Sequence, residues 1–283
     1  MPEGPEVETI RASIAPVLLG RTIEGAWVST KKLRAPLRRA ALLPLVGRVV
    51  VDTGRRGKAL WIDVEGGAGI LVRLGMTGRL LVEPVATARA PHTHVRLGLS
   101  GEDELRFVDP RRFGSVVPYG DAAARAALLV GVGPDVLALD AAARTAIVVA
   151  LCATARSLKD ALLDQRLLAG VGNIYASEAL FRARLSPFLR GQDLDEDGAR
   201  RLLAEAEATL ADAVRNRGTS FSDYVDGRGA RGDHLTHLLV FGRAGEPCRA
   251  CGGPVRRQAQ GQRSTFWCPR CQARRSARAG RLR

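Results

Sequence analysis

Lysine is nearly missing from this sequence. Four residues, Lys31, Lys32, Lys58 and Lys159, supply it in a chain of 283, so arginine carries almost all the positive charge. Long apolar runs are missing too. The longest strongly apolar stretch, residues 146–155, is far too short to cross a bilayer. The opening Pro2-Glu3-Gly4-Pro5-Glu6 is acidic and has none of the apolar character of a secretory signal. Cysteine is scarce, and four of the five fall into two Cys-x-x-Cys pairs, a pattern of metal binding in a reducing compartment rather than of a disulfide framework. The expectation is a soluble, cytoplasmic protein.

What is present is a core-forming composition with a lopsided charge. A hydrophobic content of 46% excludes a wholly disordered chain, and the length suits about two domains. Lys and Arg number 43 against 29 Asp and Glu, a formal +14, with a pI near 10.8. Such an excess calls for a polyanionic partner, nucleic acid first and an anionic membrane surface second. Residues 243–283 hold eleven arginines and one acid, Glu246, so the basic character is mostly C-terminal. Arginine suits a planar, bidentate grip on phosphates and base edges.

Val, Ile and Leu-rich runs at 22–28, 48–52, 59–64, 69–74, 94–99 and 104–108, punctuated by Gly and Pro, predict strands. A helix over 5–18 precedes them, with Val7, Ile10, Ile14 and Leu18 at helical spacing. Residues 1–120 therefore read as a β-sandwich or barrel-like sheet pair with a flanking helix, and 121–140 as a linker. Helices are predicted over 141–157, 158 to about 165, 174–184 and 195–217, within a helical domain spanning 141–239. The remainder, 240–283, is too small and too rich in Gly, Pro and Cys to hold a core alone.

The strongest chemical signal is Cys248-x2-Cys251-x16-Cys268-x2-Cys271. Four thiolates close a tetrahedral shell around one zinc and leave no position for a catalytic water, so the site is structural. Cys152, in an apolar helix, reads as a buried core thiol, and His234 and His237 as structural or surface residues. Pro2, after removal of Met1, carries a secondary α-amine that titrates near 8 and is far more nucleophilic at neutral pH than a lysine. Glu3 and Glu6 lie beside it, spaced to share a helix face and able to move protons. By position alone, however, these residues read more simply as a helix start with favourable early acids.

Other residues remain open on spacing alone. Lys58 opens a strand, to meet a phosphate or a reacting group, or as a plain surface lysine. Gly170-Val171-Gly172-Asn173 precedes a helix, as a phosphate-binding N-terminus or a tight turn. Leu74-Gly75-Met76-Thr77-Gly78 and Asp109-Pro110-Arg111-Arg112-Phe113-Gly114 set large side chains among turn residues, as duplex wedges or as core packing. Arg263, between the cysteine pairs, is by spacing one more solvated charge.

Together and in this order, these motifs resemble the formamidopyrimidine-DNA glycosylase family over essentially the whole chain, with His92-Thr93-His94, Leu163-Asp164-Gln165 and Ile174-Tyr175-Ala176-Ser177-Glu178-Ala179-Leu180 adding to the match. The resemblance implies an α+β multidomain fold. An N-terminal β-sandwich with flanking helices precedes a C-terminal helical domain with a helix-two turns-helix element and a four-cysteine zinc finger. It implies a monomeric base-excision enzyme that removes oxidised purines from damaged double-stranded DNA in the bacterial cytoplasm, at the nucleoid and away from any membrane, and then cleaves the strand by β,δ-elimination.

By matching position, the resemblance makes Pro2 the nucleophile at C1′, Glu3 the proton-handling acid and Glu6 its support. Lys58 takes part in elimination and grips phosphate, and Arg263 binds the lesion's phosphate and aids the second elimination. Lys159, His92, Asn173 and Arg111 match DNA-contacting positions, and Glu178 a supporting carboxylate. Met76, Arg111 and Phe113 match the trio that fills the gap left by an extruded nucleotide. Three positions depart from the family pattern: Gly4 where Leu is common, Phe241 for a Tyr, and Gly232-Asp233-His234-Leu235 for an aromatic-containing loop. The Pro2-Glu3-Gly4-Pro5 opening is shared with endonuclease VIII-like enzymes acting on oxidised pyrimidines or abasic sites, which is the nearest alternative. A non-catalytic zinc-dependent DNA-binding protein is the alternative from another class.

Overall fold

The computed structural model describes residues 2–220 and 224–273. The chain forms two compact units, Met1–Val130 with Asn216–Leu235, and Gly131–Arg215 with Thr236–Arg283. In the first, helix α1 (Gly4–Leu18) opens with Pro5 in its first turn, where a missing N–H leaves no helical bond unmade. Val7, Ile10, Ile14 and Leu18 are each at most 1% exposed and form its inner face.

Two antiparallel four-stranded sheets follow. One has the order β1 (Ile23–Val28), β6 (Thr93–Leu99), β7 (Asp103–Val108), β5 (Arg79–Pro84), and the other β2 (Val50–Arg56), β3 (Ala59–Val64), β4 (Gly69–Arg73), β8 (Ser115–Tyr119). A single core joins α1 to both sheets, through Leu60, Ile62 and Val72 of one and Leu97, Leu105 and Phe107 of the other. Strands β5 and β8 escaped the sequence reading because each contains a proline, at Pro84 and Pro118. Both are edge strands, where a missing N–H breaks no ladder bond.

The stretch read as a loose linker contains a helix, α2 (Ala122–Leu128), capped by the Asp121 carboxylate, which accepts the Ala124 N–H at 2.7 Å. None of its residues is buried, so no apolar period marked it. Arg125 holds it down, pairing with Asp63 and lying 4.9 Å above the Trp61 ring.

The second unit packs α3 (Ala141–Ala153), α4 (Leu158–Leu162), α5 (Asn173–Arg182) and α6 (Glu196–Arg215) around Leu151, Leu162, Tyr175, Leu180, Leu202 and Leu210. Cys152 is half-buried against this core rather than enclosed in it. Hairpin β9 (Arg256–Gln260) and β10 (Arg263–Trp267) completes the unit. Its small core gathers Phe181, Val240, Val255 and Phe266 around Cys248 and Cys268. Among the described residues no helix is long and apolar enough to cross a membrane.

Candidate active site and zinc centre

Pro2, Glu3 and Glu6 are all buried at the start of α1. Glu6 uses both carboxylate oxygens on backbone donors: Oε2 accepts the Glu3 N–H and Oε1 the Thr219 N–H, each at 2.8 Å. A carboxylate with these two bonds fixes the entry angle of the chain at Pro2 and ties it to residues 216–220, two hundred positions away in sequence. Gly218 fits this contact closely, since a Cβ there would lie 3.0 Å from Glu6 Oε1, and its φ of +79° favours glycine. The Tyr224 hydroxyl, donating to the Arg217 carbonyl at 3.2 Å, is pushed up by burial and by the nearby Glu6 charge.

Lys58 stands at the β2–β3 turn, after Gly57 with φ +60°. The turn is set by a chain of charge that spacing did not reveal. The Arg55 guanidinium donates to the Gly57 carbonyl at 2.8 Å and to Glu8 at 3.0 Å. Glu8, on α1, also accepts from Arg11 at 2.6 Å. Burial acts to raise the Glu8 carboxyl, but the Arg11 and Arg55 guanidiniums outweigh it and hold it below the usual carboxylate range. Helix α1 thereby carries the buried Pro2–Glu3 end and also the support of the lysine turn.

Met76, Arg111 and Phe113 come from two loops that one buried side chain joins. Asp109 is fully enclosed; its Oδ1 accepts from the Thr77 hydroxyl at 2.6 Å and the Arg111 N–H at 3.2 Å, and its Oδ2 from the Gly114 N–H at 2.8 Å. Gly75 allows the loops to touch, because a Cβ there would come within 2.6 Å of the Phe113 backbone. Met76 and Phe113 remain 42% and 46% exposed, and the Arg111 guanidinium lies 4.8 Å from the Phe113 ring centre. Two large apolar side chains are thus held outward beside an arginine rather than packed in the core. His92 is exposed at the rim of this cluster, with its carbonyl accepting the Asp109 N–H at 3.0 Å. His92 and Arg112 have left-handed backbones, φ +63° and +57°, a conformation that non-glycine residues adopt at an energetic cost.

In the second unit Glu178, 2% exposed on α5, accepts the N–H groups of Leu239, Val240 and Phe241 at 2.8, 2.9 and 2.8 Å. Burial pushes its carboxyl up, against those three donors. It anchors the strand of chain that enters the finger. The Phe241 ring packs 4.8 Å from that of Phe266, in an apolar setting. Lys159, matched in sequence to a DNA-contacting position, is 1% exposed, and its ammonium donates to the Ser264 carbonyl at 3.0 Å and the Thr265 hydroxyl at 2.7 Å. Asn173, at the start of α5, donates to the same Ser264 carbonyl at 3.1 Å. Arg263 itself is exposed at the head of β10, opposite Gln260.

The four cysteine sulfurs lie within 4.8 Å of one another, with Cys248 to Cys271 at 3.9 Å and Cys251 to Cys268 at 3.4 Å. A tetrahedron with Zn–S bonds of about 2.3 Å has edges of about 3.8 Å, so the donor set fits one zinc ion. His234 is buried against Asn216, and His237 is exposed, both outside this cluster. Sequence reasoning missed Glu8, Arg55, Asp109 and Thr219. Their signal, charge or amide at a turn or a helix's polar face, has no feature to separate it from solvated residues.

The molecule is thus a β-sandwich unit with a buried acidic N-terminus and two outward apolar side chains beside an arginine, joined in one chain to a helical unit with a four-thiolate finger. Family models agree with each part: the formamidopyrimidine-DNA glycosylase N-terminal domain matches residues 1–116, the corresponding H2TH domain 132–224, and the zinc finger found in FPG and IleRS 245–274. Formamidopyrimidine-DNA glycosylase of Thermus thermophilus is 45% identical over 96% of this chain and 98% of its own, and that of Heliobacterium modesticaldum 41% identical over 96% and 100%. The crystal structure of the Thermus thermophilus MutM (Fpg) protein superposes with a TM-score of 0.84 at 42% identity, covering 96% of this chain and 98% of that one. A Lactococcus lactis Fpg mutant in complex with DNA containing Fapy-dG reaches 0.88 at 26% identity, covering 96% and 100%. The chain belongs to the formamidopyrimidine-DNA glycosylase family, and its finger is a structural site for one zinc ion.

Proposed function

We propose that this protein excises oxidised purines, 8-oxoguanine and formamidopyrimidines, from double-stranded DNA as a monomer at the bacterial nucleoid, and cleaves the strand at the resulting abasic site. The observation that carries this reading is the buried Glu6 carboxylate: beside the capping-box bond from the Glu3 N–H, which an ordinary helix start also makes, it accepts the Thr219 N–H, a long-range tie of the N-terminus that a helix cap does not require.

Once Met1 is removed, the Pro2 nitrogen attacks C1′ as the glycosidic bond breaks, and the departing base takes the bonding pair and the proton that the Pro2 amine sheds on becoming tertiary. Glu3 is the acid placed to protonate O4′ as the sugar ring opens, leaving a cationic iminium between Pro2 and C1′. That iminium acidifies the C2′ proton; its loss expels the 3′ phosphate, and a second elimination expels the 5′ phosphate. Lys58 and Arg263 are the cations assigned to these two departures. Met76 and Phe113 fill the gap left by the extruded nucleotide and Arg111 faces the orphaned base, offsetting an extrusion cost of a few kcal/mol. The arginine-rich finger adds phosphate affinity independent of sequence.

The test is borohydride trapping on a duplex with 8-oxoguanine opposite cytosine, using zinc-loaded protein whose intact mass shows Met1 removed. A covalent adduct is expected, and Pro2→Gly should lose it. No adduct from the processed protein would refute the reading. Excision of thymine glycol faster than 8-oxoguanine would reassign the substrate to oxidised pyrimidines, the preference associated with the Gly4 opening.

A further inference from the structure

We propose that Lys159 is a positioning residue that sets the Arg263 hairpin, and does not bind DNA. The proposal rests on the assignment of Arg263 to the second elimination. Zinc fixes the base of the hairpin through Cys268 and Cys271, but Arg263 lies at the other end, after the two-residue turn of Gly261 and Gln262. What holds that end is polar. Lys159 donates to the Ser264 carbonyl and the Thr265 hydroxyl, the two residues that follow Arg263. The Thr265 hydroxyl, fully buried, donates in turn to Gln260 Oε1 at 2.9 Å, and Gln260 is the cross-strand partner of Arg263. The Gln260 amide in turn donates to the Ser157 hydroxyl at 2.6 Å, and Ser157 caps α4, the helix that bears Lys159.

The circuit closes on itself: α4 cap, Gln260, Thr265, Lys159, α4. Asn173 adds a second donor to the Ser264 carbonyl from α5. Ser264 and Thr265, which follow Arg263, and Gln260, which faces it, are thus tied to helices, while the Arg263 side chain is left exposed. An ammonium enclosed to 1% and committed to a carbonyl and a hydroxyl sits poorly for a phosphate grip but well for holding backbone. Misplacing a reacting group by about 1 Å costs up to about a hundredfold in rate, which is the scale on which such a tie acts.

The experiment compares wild type, Lys159→Met, Arg263→Ala and the double variant as full-length, zinc-loaded protein, acting on a duplex with a preformed abasic site. Zinc per chain should be unchanged in all four. Lys159→Met should shift product toward the β-eliminated strand about tenfold, in the direction of Arg263→Ala, and the double variant should be no worse than Arg263→Ala alone. The slope of log affinity against log salt should not change, whereas loss of a phosphate contact lowers it by about one. Hydrogen exchange of the 260–265 amides should quicken in Lys159→Met. A slope reduced by about one, with exchange unaltered, would overturn the proposal, as would multiplicative effects in the double variant. If Arg263→Ala leaves the product ratio untouched, the assignment of Arg263 fails, and the salt slope and amide exchange still decide the role of Lys159. Should Lys159→Met not fold, Thr265→Val removes the hydroxyl contact of Lys159 and is read by the same slope and exchange.

Discussion

Asp109→Asn tests whether the wedge is preset by one buried carboxylate. In the wild type three donors converge on Asp109, at 2.6, 3.2 and 2.8 Å. Asparagine keeps the shape but exchanges one oxygen for a donor. With its amide toward Gly114, two N–H groups face each other; with it toward Arg111, the same conflict arises there, relieved only in part by rotation of the Thr77 hydroxyl. Either orientation loses a bond to an ionised acceptor, about 1.5–3 kcal/mol, and strands a buried donor at about 1–3 kcal/mol more. A destabilisation of about 2.5–6 kcal/mol lowers the melting temperature of a unit this size by about 5–24 °C. Because the damage lies under Met76, Arg111 and Phe113, excision of 8-oxoguanine should fall at least tenfold. Cleavage of a preformed abasic site, which needs no base extruded, should fall by much less. Calorimetry and single-turnover assays on the two substrates read both effects. A variant with wild-type melting and excision, or with equal losses on both substrates, would refute the reasoning.

Further outcomes follow from other buried charges. Glu178→Gln turns an oxygen that accepts backbone N–H groups at 239–241 into a donor, and should cost about 3 kcal/mol by denaturant titration and speed zinc loss to a competing chelator. Glu8→Gln should lower the melting temperature at neutral pH and slow elimination, because it frees Arg55 from the Lys58 turn. Its folded carboxyl lies below the ordinary value of about 4.3, so the stabilisation is full above that pH and vanishes as pH falls through the folded value. The melting gap between wild type and Glu8→Gln should therefore close on acidification below about pH 4, and a gap constant from pH 7 to 3 would contradict the ion-pair account. Removing zinc should abolish trapping on DNA while circular dichroism keeps most of its signal, since the two larger cores lie outside the finger. Full adduct yield from protein shown by mass spectrometry to be metal-free would contradict this.

How much was legible beforehand depends on the range over which each feature is encoded. Helix α1 was readable because Val7, Ile10, Ile14 and Leu18 repeat at helical spacing, and the finger because metal chemistry fixes cysteine spacing. Strands β5 and β8 were hidden because proline is an edge residue only after the sheet order is known. Lys159 is the sharpest case. Its sequence neighbourhood, a short helix capped by Ser157, is compatible with a phosphate contact, and only the return of Ser264 and Thr265 more than a hundred positions later shows where the ammonium goes. Glu8 reads as the polar face of a helix until Arg55, 47 residues on, meets it.

These cases share a physical design. Glu6, Asp109, Glu178 and Lys159 are buried charged groups, and each binds polar groups of a segment at or beside an element given a role in the proposed function: the Pro2 terminus, the Met76 and Phe113 loops, the finger entry, the Arg263 hairpin. Burying a charge is expensive, and an apolar replacement of similar volume is often as stable, so net stability does not account for four of them. Geometry does. A charged acceptor or donor with several directed bonds permits one loop conformation where apolar contact permits many. The exposed parts can then be large, apolar and strained, as Met76, Phe113 and the left-handed His92 and Arg112 are, without collapsing onto the surface. On this argument the buried charges and the exposed wedge are one arrangement: removing a buried charge should cost activity through lost register before it costs the fold, and a substitution that preserved stability with an apolar isostere at Asp109 should still lose base excision.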